Sequence, residues 1–276
     1  MNISANQMRK IHEIQLDMFS ELKSIMDNMG IRYYFVHGSL LGAIRDSDFI
    51  LQDDDIDIAI FRADYNQLLE KGNSLLKKGL FLQNSVNDNF PLGFAKLRNS
   101  NTTFIQPVLN GIKCNQGIYI DIFPIDYLPQ NTVSRFIFNT KRMIINSRIN
   151  LELMSCDKRK KNPLDIFSLW LFPDVKKAYI AREKLFSHTK PTNIIAIFSG
   201  KETERNMPIK WFEEIKQFNF SGLMVSCPIG YAEYLQRIYG KDFINHNPAY
   251  DRITTDGLVE ISASILDIKK SYTEYL

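Results

Sequence analysis

The amino-acid sequence predicts an α/β fold of the α+β kind, in which helices flank a mixed sheet and a mainly helical region follows. Three observations support this class. Short runs rich in aromatic and β-branched residues, which are typical of strands, recur in the first half of the chain. Amphipathic segments, with apolar residues three and four positions apart, separate these runs. From about residue 132 to 209 the pattern becomes mainly helical.

The first predicted element is an amphipathic helix that ends at Gly30, a residue typical of helix C-termini. Its apolar residues recur at helical spacing and are Met8, Ile11, Ile14, Met18, Leu22, Ile25 and Met29. Strands are predicted at residues 31–36, 56–61, 94–98, 102–105 and 117–123. Further helices are predicted at residues 40–45, 63–78 and 231–239.

Length and composition indicate one globular domain. The chain has 276 residues, and we expect residues 1–276 to form a single domain, with 1–130 as its core and about 131–210 as a helical insertion. Its three cysteines are far apart, so neither a disulfide framework nor a zinc site is predicted. The formal net charge is only +3, and we therefore expect no nucleic-acid partner.

The N-terminal segment does not have the features of a signal peptide. Glu13, Asp17 and Glu21 interrupt it, and no stretch of the chain is long and apolar enough to cross a bilayer. We expect a cytoplasmic protein. A basic loop at residues 158–161 precedes the apolar stretch 163–172, which leaves open a peripheral contact with the inner face of the membrane. A solvated loop followed by a packed helix is the simpler interpretation.

The segment QDDDIDIAI carries the strongest chemical signal. In a strand, Asp55 and Asp57 lie on one face, roughly 7 Å apart at Cα, and isoleucines lie on the other. Two like charges on one strand face repel, and Asp forms strands poorly, so stability alone does not favour this pattern. A divalent cation would offset the repulsion, because hard cations prefer carboxylate oxygens. We therefore predict that both residues bind Mg²⁺ or Mn²⁺.

A third carboxylate lies in the segment GIYIDIFPID. Asp121 interrupts an apolar run on a predicted central strand, where a carboxylate is costly unless it is paired or bound to a metal. We predict that Asp121 completes the metal site and takes part in catalysis. Asp126, which follows Pro124, is interpreted as a turn residue.

Two further patterns predict contacts with a phosphorylated substrate. Gly38 and Ser39 open a short helix, whose free N–H groups and positive dipole end favour a phosphate, and Arg45 adds a positive charge. Lys96 and Arg98 share one face of a short strand. They either neutralise phosphate oxygens or form a solvated edge, and the sequence leaves both open.

Taken together, the segments HGSLLGAIR, QDDDID and YIDIFPID resemble the LicD family, which includes the fukutin-related proteins. The matching positions are Gly38, Ser39, Leu40, Leu41, Gly42, Ala43, Arg45, Asp53, Asp54, Asp55, Asp57, Asp121, Phe123, Pro124 and Asp126. The closing IYGKDF also resembles a C-terminal segment of that family. Members of the family often have a proline and a tryptophan before the acidic run, where this chain has Leu51 and Gln52.

The resemblance implies a LicD-like catalytic domain with a nucleotidyltransferase-like fold. It implies metal-dependent transfer of phosphocholine or a polyol phosphate from a CDP-linked donor, with release of CMP. The expected acceptor is a hydroxyl of a glycan or lipid-linked glycan, such as a teichoic acid, lipopolysaccharide or capsule precursor. Two alternatives stay open, namely nucleotidyl transfer with release of pyrophosphate and a catalytically inactive binding module.

Overall fold

The computed structural model describes residues 1–153, 160–187, 189–198, 204–245 and 258–276. Its helices are α1 (Ala5–Asn28), α2 (His37–Arg45), α3 (Arg62–Lys71), α4 (Thr132–Leu153), α5 (Pro163–Leu171), α6 (Val175–Ser187) and α7 (Tyr231–Tyr239). Its strands are β1 (Asn2–Ile3), β2 (Tyr33–Phe35), β3 (Asp57–Phe61), β4 (Leu80–Gln83), β5 (Ala95–Asn99), β6 (Thr103–Ile105), β7 (Ile118–Tyr127), β8 (Ile194–Ile197), β9 (Met207–Pro208), β10 (Ile215–Phe220), β11 (Leu223–Pro228), β12 (Val259–Glu260) and β13 (Ile265–Asp267).

A mixed sheet forms the centre of the fold, and this confirms the predicted class. Its main path has the strand order β2-β3-β7-β5-β4, with β8 pairing to β7 and β9 to β8. Strands β3 and β7 are parallel, whereas the other pairs in this sheet are antiparallel. Three two-stranded pairs accompany it: β1 with β12, β6 with β13 and β10 with β11.

Helix α1 anchors the strands that carry the acidic segments. It begins with a capping box between Ser4 and Gln7, and it ends before Gly30, which adopts a left-handed φ of 67°. Its apolar face is buried in the main core. From this face the amide of Gln15 donates hydrogen bonds to the carbonyl oxygens of Asp54, at 2.8 Å, and Tyr119, at 3.1 Å. The helix thus holds β7 and the approach to β3 in a fixed relation.

Strand β7 continues past Pro124, although the sequence predicted its end at residue 123. On the side of β7 that faces β5 and β8, pairing with β5 stops at Ile122 and pairing with β8 starts at Ile125. Pro124 therefore lies in a gap on that side, where the absence of its N–H disrupts no pairing. As a consequence Asp126 is a strand residue and not the predicted turn residue. It is 1% exposed and forms an ion pair with Arg62.

The region after residue 131 is helical in α4, α5 and α6, but it also returns to the central sheet through β8 and β9. Other predictions were imprecise at element ends, since α3 stops at Lys71 rather than at residue 78. The hairpin β10–β11 and strand β4 were not predicted.

Within the described residues, none of the helices is both long enough and apolar enough to span a bilayer. Of the predicted basic loop, residues 158 and 159 lie outside the described part of the chain, while Lys160 and Lys161 are exposed.

Candidate active site

Parallel pairing of β3 with β7 brings the predicted carboxylates together. The strand register places Asp57 opposite Asp121, and Asp55 lies two residues before Asp57 on the approach to β3. One carboxylate oxygen from each of the three residues lies within 4.8 Å of the others. Asp57 and Asp121 are only 8% and 7% exposed. The cluster therefore concentrates negative charge where little water can screen it.

Burial and the nearby negative charges shift the pKa values of these carboxyl groups. Burial raises the pKa of Asp55 well above its usual range, and the charge of Asp57 adds to the increase. Burial also raises the pKa of Asp121, while Lys96 lowers it and Asp57 raises it again, with a result of about 6. A divalent cation would favour the ionised forms, and the all-carboxylate donor set suits a hard ion such as Mg²⁺ or Mn²⁺.

The first turn of α2 lies against this cluster. Gly38 lines the same cavity as the carboxylates, and a Cβ atom at that position would lie 1.9 Å from Asp53 Oδ2, so a side chain there would displace the aspartate. Ser39 is buried, and its Oγ accepts a hydrogen bond of 2.8 Å from the backbone N–H of Asp57. Ser39 thus fixes the start of β3, in contrast to its predicted contact with phosphate.

The structure does not place the two predicted arginines at the cavity. Arg45 is seven residues after Gly38 on α2, about 10 Å along the helix axis, and it forms an ion pair with Asp46. Arg98 is fully buried and donates hydrogen bonds of 2.8 Å to Gln83 Oε1 and to the carbonyl oxygen of Gly117. The contacts of Arg98 stabilise neighbouring strands, and that of Arg45 lies at the end of α2. Neither arginine lines the cavity, and phosphate binding by them stays a prediction.

Lys96, by contrast, lies in the site and is not on a solvated edge. It is 1% exposed, its Nζ is 2.6 Å from Asp121 Oδ1, and it lies 3.4 Å from the centre of the Tyr119 ring. Burial lowers the pKa of Lys96, and the charge of Asp121 opposes this change. The lysine therefore places a positive charge beside the carboxylates, where it can also contact a phosphate.

Sequence reasoning missed a buried histidine, His37, that lines the cavity and contacts Asp57. His37 Nδ1 is 3.3 Å from Asp57 Oδ2, and its Nε2 contacts Glu204, to which the Tyr234 hydroxyl also donates a hydrogen bond of 2.7 Å. His37 adopts a left-handed φ of 50°, which is strained for a non-glycine residue. Burial lowers the pKa of His37, but Glu204 and Asp57 raise it to about 10. The position of His37 at the start of the segment HGSLLGAIR could have indicated that it belongs to the site. No comparable sequence pattern marks Glu204.

The carboxylates open into a cavity of about 380 Å³. The apolar residues Leu92, Phe94 and Phe123 line the cavity together with the aspartates. The rings of Phe94 and Phe123 are in contact, with centroids 4.5 Å apart. Small-molecule sites have cavities of this size, and this one combines many polar side chains with an apolar patch.

Comparison with known proteins agrees with this geometry. Residues 30–157 match the protein family described as "LicD/FKTN/FKRP, nucleotidyltransferase domain", and this range contains both α2 and the three carboxylates. The chain is also 24% identical over 259 residues to a lipopolysaccharide cholinephosphotransferase, LicD, of Haemophilus influenzae. That alignment covers 89% of this chain and 94% of the relative.

Proposed function

Residues 30–157 carry a nucleotidyltransferase domain of the LicD/FKTN/FKRP family, and from this premise we propose that the protein is a metal-dependent phosphotransferase. It transfers phosphocholine, or a polyol phosphate, from a CDP-linked donor to a hydroxyl of a glycan or lipid-linked glycan and releases CMP. The acceptors we propose are cell-surface glycan or teichoic acid precursors on the cytoplasmic side. The observation that carries the proposal is the cluster of Asp55, Asp57 and Asp121 in the wall of the cavity.

In the proposed reaction an oxygen of the acceptor hydroxyl attacks the phosphorus that bears the head group. The new P–O bond forms as the bond to CMP breaks, so the head group and one phosphate reach the acceptor. Asp55, Asp57 and Asp121 would hold Mg²⁺ or Mn²⁺, which stabilises negative charge on the attacking and leaving oxygens. Ser39 and His37 keep Asp57 in place through its backbone N–H and its carboxylate.

We assign one residue of this chain to removal of the acceptor's proton and another to stabilisation of the phosphate. Asp121 takes the proton of the acceptor hydroxyl, because its carboxylate lies in the cavity wall beside Asp55 and Asp57 and is kept ionised by the bound cation. Lys96 orients Asp121 through their 2.6 Å ion pair and faces the cavity, where its charge stabilises phosphate oxygens. In this assignment Gly38 gives the donor phosphate close access to the start of α2.

A screen of CDP-linked donors tests the proposal. Each donor is incubated with the protein, Mg²⁺ and crude glycan acceptors, and the released nucleotide is identified by chromatography. Release of CMP with an acceptor supports phosphotransfer. A parallel incubation contains a nucleoside triphosphate as the donor. If it releases pyrophosphate while no CDP-linked donor releases CMP, the protein is a nucleotidyltransferase instead.

Divalent metal is expected to stabilise the protein more at pH 7.5 than at pH 5. In the folded protein the neutral form of Asp121 is favoured, because its pKa is about 6 rather than the ordinary 3.8. Its contribution to stability is therefore present below 3.8 and is lost as pH rises through about 6. Bound Mg²⁺ offsets that loss but competes with protons at pH 5. The increase in melting temperature on adding Mg²⁺ to EDTA-treated protein is measured at both pH values. The metal assignment would be contradicted by equal increases at pH 7.5 and pH 5, or by no increase at pH 7.5.

Phe94→Ala is expected to discriminate between donor head groups. Aromatic rings bind quaternary ammonium groups through cation–π attraction, which contributes roughly 0.5–2 kcal/mol. Loss of the Phe94 ring, which contacts Phe123 in the cavity wall, should therefore raise KM for CDP-choline several-fold more than for a CDP-polyol. Steady-state kinetics with both donors provide the comparison, and an equal change would show that the ring does not contact the head group.

A further inference from the structure

Exposed apolar side chains are concentrated on the helical region that follows the sheet core. Among the described residues, 21 large hydrophobic side chains are exposed, and nine of them lie in α4, α5 or α6. These nine are Val133, Phe136, Ile137, Met143, Ile166, Phe167, Trp170, Leu171 and Ile180. Exposed apolar side chains concentrated in one region of a folded protein can mark an interaction site.

Helix α5 has its apolar side turned outward. Its buried residues are Asp165 and Ser168, and Asp165 closes a capping box with Asn162 and accepts a hydrogen bond from Ser147 on α4. The opposite side presents Ile166, Phe167, Trp170 and Leu171 to solvent, and Trp170 is 74% exposed. An amphipathic helix that buries its polar side leaves a strong driving force for covering the apolar one.

This apolar side continues into a groove between helices. Leu171 borders a groove of about 490 Å³ that α4 and α6 line with residues such as Ile144 and Leu185. Lys141 and Lys184 also line this groove. We call the exposed side of α5 together with this groove the α5 surface.

Basic residues surround the α5 surface. Lys160 and Lys161 are exposed directly before the cap of α5, and Lys141 and Lys184 line the groove. Two exposed acids lie near this surface. Asp174 accepts a hydrogen bond from the backbone N–H of Lys176 at the start of α6, and Glu152 pairs with Arg148 on α4. The described part of this surface therefore combines apolar side chains with an excess of lysine.

We propose that the α5 surface binds an anionic lipid bilayer, with α5 lying in the interface. Short amphipathic helices rich in Trp, Phe and Leu insert between lipid headgroups, while lysines pair with their phosphates. A protein partner fits less well, because lysine is depleted at protein–protein interfaces. This surface lies outside the residues assigned to transfer, so the inference is independent of the proposed reaction.

Co-sedimentation of the full chain with vesicles tests this inference without any donor or acceptor. The vesicles are phosphatidylcholine alone or phosphatidylcholine with about 30% phosphatidylglycerol. The wild type is expected to bind the anionic vesicles, and to bind less in high salt. Phe167→Ser combined with Trp170→Ser should lower the partition coefficient about tenfold or more, because each buried apolar side chain contributes roughly that factor. Lys160→Glu combined with Lys161→Glu should abolish the preference for phosphatidylglycerol.

A control replaces two exposed apolar residues elsewhere, namely Leu75→Ser combined with Met224→Ser. These residues are 52% and 54% exposed in the wild type, compared with 45% for Phe167 and 74% for Trp170. Circular dichroism and thermal melting verify that each variant is folded. The proposal is overturned if the wild type stays in the supernatant, or if the control reduces binding as much as the α5 variant. It is also overturned if the wild type is a dimer that only the α5 variant dissociates, since a second copy would then cover this surface.

Discussion

Asp57→Asn is expected to lower the rate of transfer by at least about a thousandfold and to leave the fold intact, because Asp57 is one of the three carboxylates that would hold the metal. It is opposite Asp121 in the strand register and in contact with His37. The substitution keeps the shape of the side chain but removes one charge from a donor set that needs it to hold a cation. Because the substitution relieves repulsion from the other carboxylates but weakens the attraction to His37, the melting temperature of the metal-free protein should change little.

Asp17→Asn provides the control, since Asp17 is an exposed carboxylate on α1 and far in sequence from the site. Release of CMP, far-UV circular dichroism and the Mg²⁺-induced thermal shift should be measured on the same samples. The account expects the Asp57 variant to lose both turnover and the Mg²⁺ shift. Turnover at the wild-type rate in a folded Asp57 variant would remove this residue from the site.

Asp121 and Asp126 lie on the same strand, and their asparagine variants are expected to fail in opposite ways. Asp121→Asn should lower turnover at least about a hundredfold with little change in stability, because the amide oxygen can still accept a hydrogen bond from Lys96. Asp126→Asn should lower the free energy of unfolding by about 3 kcal/mol, because it breaks a buried ion pair with Arg62 whose N–O distances are 2.7 and 2.8 Å.

Denaturant unfolding and single-turnover transfer distinguish these effects. The folded fraction of the Asp126 variant should transfer the head group at close to the wild-type rate. The Asp121 variant should still bind the CDP-linked donor while transferring it slowly. If the Asp121 variant instead unfolds easily and its folded fraction turns over normally, Asp121 is a structural carboxylate.

The local sequence pattern was sufficient to predict much of the fold and the clustering of the carboxylates. Helix α7 was predicted at its observed bounds, Tyr231–Tyr239, because an amphipathic pattern ends at Gly240, which adopts a left-handed φ. The meeting of Asp57 and Asp121 followed from their unusual place on apolar strands, where an aspartate needs a specific partner.

The remaining errors arose from contacts between residues distant in sequence. Glu204 lies 167 residues from His37, and nothing around it indicates that it reaches the site. Asp126 resembles a turn residue because it follows Pro124, and only the gap between β5 and β8 explains why the strand continues. Arg98 shares its strand face with Lys96, but the covering residue Gln83 belongs to β4, which was not predicted.

Doubly labelled CDP-choline tests the central claim most directly. The donor carries ¹⁴C in the choline and ³²P in the phosphate bonded to it, and it is incubated with the protein, Mg²⁺ and an acceptor glycan. The account predicts that both labels reach the glycan in equal amounts and that unlabelled CMP is released, in the wild type but not in the Asp57→Asn variant. Recovery of ³²P in the released nucleotide or in pyrophosphate, or transfer that persists in the variant, would contradict it.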